Sequence, residues 1–141
     1  MKVIAVLEQD IPKVWPQIEG YIEEAASYTN GRYTADDVLE LLCKGRVLWI
    51  AFDESGIKGA VVTCLNQYPR KRYLHLEFCG GTDGYTWKSD MLRTLQSWAR
   101  DTECDGIEGL GRPGWERIFR LDGYVSGLRN FELPVEAWVG A

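Results

Sequence analysis

The chain has 141 residues, about the length of one ordinary domain, and it is 45% hydrophobic and 26% charged. These figures exclude a disordered tail, a fibrous repeat and a small disulfide-stabilised protein, because a chain of this size can bury enough surface to fold without cross-links. The net charge of −5 argues against a general nucleic-acid-binding protein. We expect one domain over residues 1–141, with no signal peptide, no membrane-spanning helix and a cytoplasmic location.

The first part of the chain predicts one strand and two helices. An apolar run from Val3 to Leu7 is typical of a strand. Apolar residues then recur at helical spacing between a cap residue, Asp10, and the turn Asn30-Gly31, which predicts the first helix. Thr34 is the expected cap of a second helix, because the acids that follow it suit the helix dipole.

Three strands are predicted in the middle of the chain. Val47–Phe52 and Ile57–Leu65 flank a turn at Asp53–Gly56 and predict an antiparallel hairpin. The next segment alternates in polarity, which predicts a strand with two different faces. One face is predicted to carry Leu74, Leu76 and Phe78, and the other Tyr73, His75, Glu77 and Cys79.

The remaining elements are predicted to complete a mixed sheet. A strong apolar stripe predicts a third helix from Thr86 to Thr102, and Gly106–Gly111 is a short strand. Because this helix connects two strands as a crossover, those strands should be parallel. A short helix after Pro113-Gly114 and a strand over Tyr124–Leu133 follow. The order β-α-α-β-β-β-α-β-α-β predicts an α/β (α+β) domain, with about six mostly antiparallel strands and about four helices on both faces.

This order resembles the GNAT superfamily of N-acetyltransferases over nearly the whole chain. The hairpin Phe52–Val61 looks like the second and third strands of the family, with the customary glycine after the turn. The alternating strand, the Gly-rich loop and the amphipathic helix stand where the family holds acetyl-CoA. Trp115–Tyr124 looks like the closing helix and the Tyr-x-x-x-Gly-Phe ending. The compact, tryptophan-rich character is similar to small GNAT-like proteins of tailed bacteriophages, which would place the protein in the host cytoplasm or the virion.

The resemblance implies an acetyl-CoA site at the start of the third helix, where the family binds the pyrophosphate on backbone N–H groups. The family pattern Arg/Gln-x-x-Gly-x-Gly/Ala is not matched, because Gly84 stands at the basic position, and Trp87 and Ser89 at the glycine positions. The glycines of this loop either form a different cradle or make a plain turn. The residues predicted to bind the cofactor are Cys79, Gly80, Gly81, Thr82, Gly84 and Ser89.

The resemblance also implies a general base on the fourth strand, where Glu77 matches the location and His75 shares its face. The two side chains either take a proton from the substrate ammonium or pair with each other on a solvated face. The acid of the family is often a tyrosine in the closing helix, but Phe119 stands at that position. Tyr124 is the predicted substitute, with Tyr85 as a second candidate. The predicted catalytic residues are therefore Glu77, His75 and Tyr124.

The cysteines do not predict a metal site or a disulfide framework. None of the four forms a C-x-x-C pair, and the chain has a single histidine, so we expect reduced thiols and no metal. Cys79, beside the Gly-rich loop, is either a small hydrophobic residue or a nucleophile. The basic run Arg70-Lys71-Arg72 is either a solvated loop or a local anion site.

Six tryptophans in a chain of this length indicate a large aromatic core or a binding surface. Three of them lie in apolar segments and are predicted core residues: Trp15, Trp49 and Trp98. The other three stand at loop, helix-start and tail positions, which predicts either helix-start packing or contacts with a ligand, a protein partner or a second copy: Trp87, Trp115 and Trp138.

Two main functions follow from the sequence. The first is an acetyl-CoA-dependent N-acetyltransferase that acts on a small-molecule or protein amine, with Glu77 and His75 supplying the base. The second is a catalytically silent GNAT-like phage protein that acts as a binding or virion-associated subunit, which the unmatched cofactor pattern and Phe119 favour. A non-acetyl acyltransferase or a CoA sensor is a third option.

Overall fold

The computed structural model describes residues 1–109 together with 115, 117, 127, 131, 132, 134 and 135. In chain order, its elements are β1 (Lys2–Val6), α1 (Ile11–Ser27), α2 (Ala35–Leu42), β2 (Val47–Asp53), β3 (Gly56–Gln67), β4 (Arg72–Gly81), α3 (Gly84–Asp101) and β5 (Gly106–Gly109). This confirms the predicted order as far as the fifth strand. Of the predicted fourth helix, Trp115 and Arg117 are helical. Seven of the ten residues of the predicted last strand lie outside the described residues, and the other three, Gly127, Phe131 and Glu132, are not in a strand.

The described strands form one mixed sheet in the order β1-β2-β3-β4-β5. Neighbouring strands from β1 to β4 are antiparallel. β4 and β5 are parallel, as the crossover through α3 predicts, and their described pairing runs from Tyr73–Gly106 to Leu76–Gly109. The fold class is therefore the predicted one, with five of the expected six or so strands and three helices in the described part of the chain.

The starts of the helices follow local sequence rules with one difference. Thr34 and Asp37 form a capping box at the start of α2, in which each residue bonds the backbone N–H of the other. Asp10 makes no such bond, because a 3-10 turn over Glu8–Asp10 leads directly into α1. Among the described helices, none has the length and apolar composition that crossing a membrane requires.

Helices pack on both faces of the sheet and bury two separate cores. On the α1/α2 face, helices α1 and α2 cover the sheet. The fully buried members of this core are Ile18, Ile22, Val38, Leu48, Ala60 and Val62. On the α3 face, α3 covers the sheet, and the fully buried members of this second core are Ala51, Val61, Trp87, Met91 and Leu95. Burial on this scale provides most of the driving force for folding.

Two of the three tryptophans predicted to be core residues are buried. Trp15 belongs to the core of the α1/α2 face and Trp49 to that of the α3 face. The prediction for Trp98 is wrong, because its side chain is 37% exposed. It lies at the margin of the buried stripe of α3, where the edge of its ring packs against Trp49 at a centroid distance of 5.9 Å.

A β-bulge interrupts the pairing of β3 with β4. Val62 lies opposite Phe78, but the next residue, Thr63, lies opposite Leu76. Glu77 is therefore an extra residue on β4, opposite no residue of β3. An extra residue of this kind bends the strand and changes which side chains share a face.

The bulge corrects the predicted faces of β4. Leu74 and Leu76 pack into the core of the α3 face, whereas Phe78 packs into the core of the α1/α2 face. The prediction that these three residues share a face is wrong for Phe78. The prediction that Cys79 shares the face of His75 is also wrong, because Cys79 packs on the α3 face.

Candidate active site

Polar side chains gather on the α1/α2 face beside the bulge of β4. His75 lies opposite Cys64 of β3. Cys64 is two residues from buried Val62 on the same strand, so both side chains point to the α1/α2 face. Glu77, at the bulge, accepts a hydrogen bond from Nε of Arg46 at 3.1 Å. His75 and Glu77, the two residues predicted to act as the base, therefore lie on one face. They do not bond each other, because each bonds a different partner.

The partner of His75 is Glu108 of β5. Nδ1 of His75 lies 2.8 Å from Oε2 of Glu108, and the His75 side chain is only 12% exposed. The pair forms because these two residues are directly opposite in the parallel ladder. Sequence reasoning missed Glu108, since a predicted crossover indicates parallel strands but not their register.

Glu108 is the centre of a larger hydrogen-bond network. Its Oε2 also accepts a bond from the hydroxyl of Tyr68 at 2.7 Å and from Nδ2 of Asn66 at 3.2 Å. The bond to Glu108 raises the pKa of the Tyr68 hydroxyl. One carboxylate oxygen of Glu108 thus bonds three side chains, those of Asn66, Tyr68 and His75.

Arg46 and Glu77 form a separate ion pair in the same cluster. The hydrogen bond to Glu77 raises the pKa of the Arg46 guanidinium, and the charge of the carboxylate adds to this effect. The Glu77 side chain is 15% exposed. A substrate ammonium would therefore compete with Arg46 for the Glu77 oxygen that the guanidinium bonds.

Cys64 lies within this cluster but is poorly suited to act as a nucleophile. Partial burial raises the pKa of its thiol, and the negative charges of Glu77 and Glu108 raise it further, while Arg46 opposes them. Its Sγ lies 3.7 Å from Oδ1 of Asn66. Because the reactive form of a cysteine is the thiolate, a raised pKa suppresses reactivity at neutral pH.

This environment predicts the order in which thiols react. In the native protein at pH 7.5, iodoacetamide should alkylate exposed Cys43 at least about tenfold faster than Cys64. Mass spectrometry of peptides taken at successive times measures both rates, and Cys43→Ser should remove the fast site. Equal rates at the two positions would contradict the assigned environment of Cys64.

The two glycines at the end of β4 serve packing inside the protein. A Cβ atom at Gly80 would overlap the carbonyl oxygen of Tyr21 in α1. A Cβ atom at Gly81, which has φ = +148°, would overlap the carbonyl oxygen of Lys58 in β3. Both positions require glycine because other parts of the chain approach the backbone, so neither leaves space for a ligand.

Trp87 packs beside these glycines. It is fully buried, and a Cβ atom at Gly59 would lie 2.5 Å from its ring. Its Nε1 donates a 2.8 Å bond to the carbonyl oxygen of Thr82, whose N–H in turn donates to Lys58. The ring of Trp115, also buried, lies 5.4 Å from that of Trp87. Both tryptophans thus belong to the α3-face core, and contact with a partner through them stays a prediction.

The start of α3 has a backbone arrangement suited to anions. Asp83 has left-handed dihedral angles (φ 52°, ψ 44°), its side chain does not cap the helix, and Gly84 begins α3. A left-handed residue followed by a helical one turns successive N–H groups toward a common side, and such concavities bind anions together with the helix dipole. Tyr85 is exposed there, and Nζ of Lys88 lies 5.0 Å from the centre of its ring.

The predicted cofactor residues are therefore not brought together as one cradle. Gly84 lies in the anion-binding arrangement, but Gly80, Gly81 and Thr82 are engaged by the chain itself. Ser89 lies in the second turn of α3, beyond the first-turn N–H groups. Of the residues named from sequence, only Gly84 lies in this left-handed-to-helical turn, and the carboxylate of Asp83 before it has the same sign of charge as a diphosphate.

The remaining predicted residues fall beyond the part of the chain that the structure describes. They are Tyr124, Phe119 and Trp138. Over residues 1–109 and the few described positions beyond them, no three histidine, cysteine or acidic side chains are grouped as metal ligands.

Solved structures share this fold, although their sequences differ widely from this one. A probable acetyltransferase has a TM-score of 0.67 at 12% identity, with 96% of this chain and 98% of that chain covered. A GNAT family acetyltransferase from Staphylococcus aureus has a TM-score of 0.64 at 16% identity, with coverage of 96% and 100%. An aminoglycoside acetyltransferase from an uncultured soil metagenomic sample, in complex with sisomicin, has a TM-score of 0.65 at 15% identity, with coverage of 95% for both chains.

No protein-family model matches the chain, and no curated protein matches it. The similarity nevertheless extends over nearly the whole length of the solved structures. The chain therefore has the fold of the GNAT acetyltransferases.

Proposed function

We propose that this protein is an N-acyltransferase that uses acetyl-CoA. Its amine substrate would bind on the α1/α2 face, beside the bulge of β4. The GNAT fold supports the class of reaction. The observation that carries the proposal is the hydrogen bond between His75 and Glu108. His75 and Glu77 both lie on β4, the strand where the resemblance implies the base, and both can accept a proton.

We assign two requirements of the reaction to residues that the structure describes. An amine is an ammonium ion at neutral pH, so it must lose a proton before its lone pair can attack, and His75 and Glu77 are the nearby acceptors. The backbone N–H groups of Asp83, Gly84 and Tyr85 would hold the diphosphate of the cofactor. Bound acetyl-CoA supplies an acyl group activated as a thioester. Tyr124 stays the predicted proton donor to the leaving group.

The test is product formation with a panel of amines. The untagged protein is incubated with acetyl-CoA and, in turn, with small primary amines, polyamines and peptides with free N-termini, and mass spectrometry detects an added acetyl group. We expect product with at least one class. Absence of product from every class at millimolar acetyl-CoA would contradict the proposal.

Glu77→Gln is expected to lower turnover by about tenfold without abolishing it, because the change removes a charge from the site but leaves His75 in place. Glu40→Gln is a matched control, since Glu40 of α2 pairs with Lys44, just after the helix, and both side chains are well exposed. Steady-state rates with one active amine measure the difference. Complete loss of activity in Glu77→Gln would mean that Glu77 itself is the essential base.

A second candidate function is that of a catalytically silent GNAT-fold protein acting as a binding or virion-associated subunit. Its support is the packing at the start of α3, where Trp87 and the backbone of α1 and β3 fill the space around Gly59, Gly80 and Gly81. A silent protein would give no product in the amine panel and no heat on titration with acetyl-CoA.

A further inference from the structure

We infer that His75, not Glu77, takes the proton from the amine, and that Glu108 is the positioning residue that selects the tautomer of the His75 ring. The inference rests on the proposed acyl transfer and assigns distinct roles to groups that sequence reasoning treated together. Nδ1 of His75 is bonded to Glu108, and Nε2 is the ring nitrogen that could take the proton.

The hydrogen bond to Glu108 determines where the proton of the neutral imidazole lies. An ionised carboxylate can only accept hydrogen bonds, so the 2.8 Å contact requires a proton on Nδ1 of His75. In the neutral ring, Nε2 then carries a lone pair and no proton, which is the form that a general base needs. The same arrangement of carboxylate and imidazole orients histidine bases in other enzymes.

The surroundings of Glu108 hold its carboxylate in this role. Tyr68 and Asn66 donate to the same Oε2 that faces His75. Together with His75, they place three hydrogen-bond partners on this one oxygen. The two donors also fix the direction of the carboxylate, so that the orientation of the ring is set from three segments of the chain.

Glu77 has a different environment. Its Oε1 accepts from Arg46, and the two opposite charges hold each other in place. Arg46 therefore occupies one oxygen of Glu77 and offsets the charge of the carboxylate. We therefore assign to the Arg46–Glu77 pair the role of holding the bulge of β4 in place.

Acyl transfer removes two protons from the ammonium nitrogen. Nε2 of His75 takes one proton from the ammonium nitrogen, and the electron pair left on that nitrogen forms a bond to the thioester carbonyl carbon. The carbon–sulfur bond breaks and its electrons leave with the thiolate, which takes up the second proton that the nitrogen loses as the amide forms. The imidazolium formed at His75 is stabilised by the negative charge of Glu108 until it releases its proton to solvent.

Nuclear magnetic resonance tests the tautomer without reference to activity. His75 is the only histidine, so the imidazole ¹⁵N signals of untagged protein belong to one residue. At a pH where the ring is neutral, we expect Nδ1 to be protonated and Nε2 to be unprotonated. Glu108→Gln should shift these signals toward a mixture, since an amide can donate as well as accept. A wild-type ring protonated on Nε2 would overturn the inference.

Kinetics test the role in catalysis. We expect His75→Gln to lower kcat about 10²- to 10³-fold with little change in the KM for acetyl-CoA, and His75→Gly to regain activity with added imidazole. Glu108→Gln should lower kcat by about 10²-fold or more, because it releases the tautomer. Glu54→Gln, in the exposed β2–β3 turn, is the matched control. Circular dichroism confirms that each variant is folded.

The outcomes separate the two proposals. An active wild type whose turnover survives His75→Gln but is abolished by Glu77→Gln would overturn the assignment of the base and leave the acyltransferase in place. A wild type that transfers no acyl group would overturn the proposed function and the catalytic role together, while the resonance measurement would still decide the tautomer.

Discussion

Replacement of Trp87 by alanine is expected to lower the free energy of unfolding by about 3–5 kcal/mol. The side chain is fully buried in the core of the α3 face, where its ring packs against the backbone at Gly59 and against the ring of Trp115. Its truncation would leave a large cavity and an unpaired carbonyl oxygen at Thr82. The core around it is too constrained by the sheet to collapse fully.

Urea denaturation followed by circular dichroism measures this loss, because the signal does not depend on tryptophan fluorescence. Trp98→Ala is the control on the same helix, and we expect it to cost less than about half as much, since 37% of that side chain is already exposed. Trp87→Phe should fall between the two, because it keeps most of the volume but loses the bond to Thr82. Equal costs for Trp87→Ala and Trp98→Ala would contradict the packing described.

Replacement of Gly80 by alanine is expected to cost about 2–4 kcal/mol, although it adds only one methyl group. The added Cβ would overlap the carbonyl oxygen of Tyr21, which belongs to the backbone of α1 and cannot rotate away. The helix would have to move off the end of β4. This displacement would also disturb the core of the α1/α2 face, because Ile18 and Ile22 lie on the same helix.

Gly20→Ala provides an opposite control for the same substitution. Gly20 lies within α1 and is exposed, and a Cβ atom added there would have no neighbour within 4 Å outside its own helical turn. Alanine should therefore stabilise the protein by about 0.5–1 kcal/mol through its higher helix propensity. If Gly80→Ala were also neutral or stabilising in the same denaturation experiment, the close approach of α1 to β4 would be wrong.

The order of elements could be predicted because each has a local signal. The apolar stripe of α3, the hairpin around Asp53–Gly56 and the Thr34 cap depend on residues close together in the chain. The prediction for Trp98 is wrong because spacing alone does not define the margin of a buried stripe. In each of these cases, a local pattern determines the element but not its exact boundary with solvent.

The candidate site could be predicted less completely, because it depends on contacts between distant residues. The alternation of β4 gives no sign of the bulge at Glu77, which is defined by pairing with β3. Glu108 can be recognised only from its register opposite His75. Gly80 and Gly81 suggest a ligand cradle, yet α1 and β3 occupy the space that their missing side chains leave. A glycine indicates a close approach, and only the tertiary structure shows what approaches.

Calorimetric titration with acetyl-CoA, compared with acetyl-pantetheine, tests the central claim most directly. The two compounds share the thioester, but only acetyl-CoA carries the diphosphate that the backbone of residues 83–85 would hold. We predict a Kd below about 1 mM for acetyl-CoA, in the ordinary range for enzyme substrates, and binding at least about tenfold weaker for acetyl-pantetheine. No heat of binding from acetyl-CoA at millimolar concentration would contradict the proposed acyl transfer and favour a silent GNAT-fold protein.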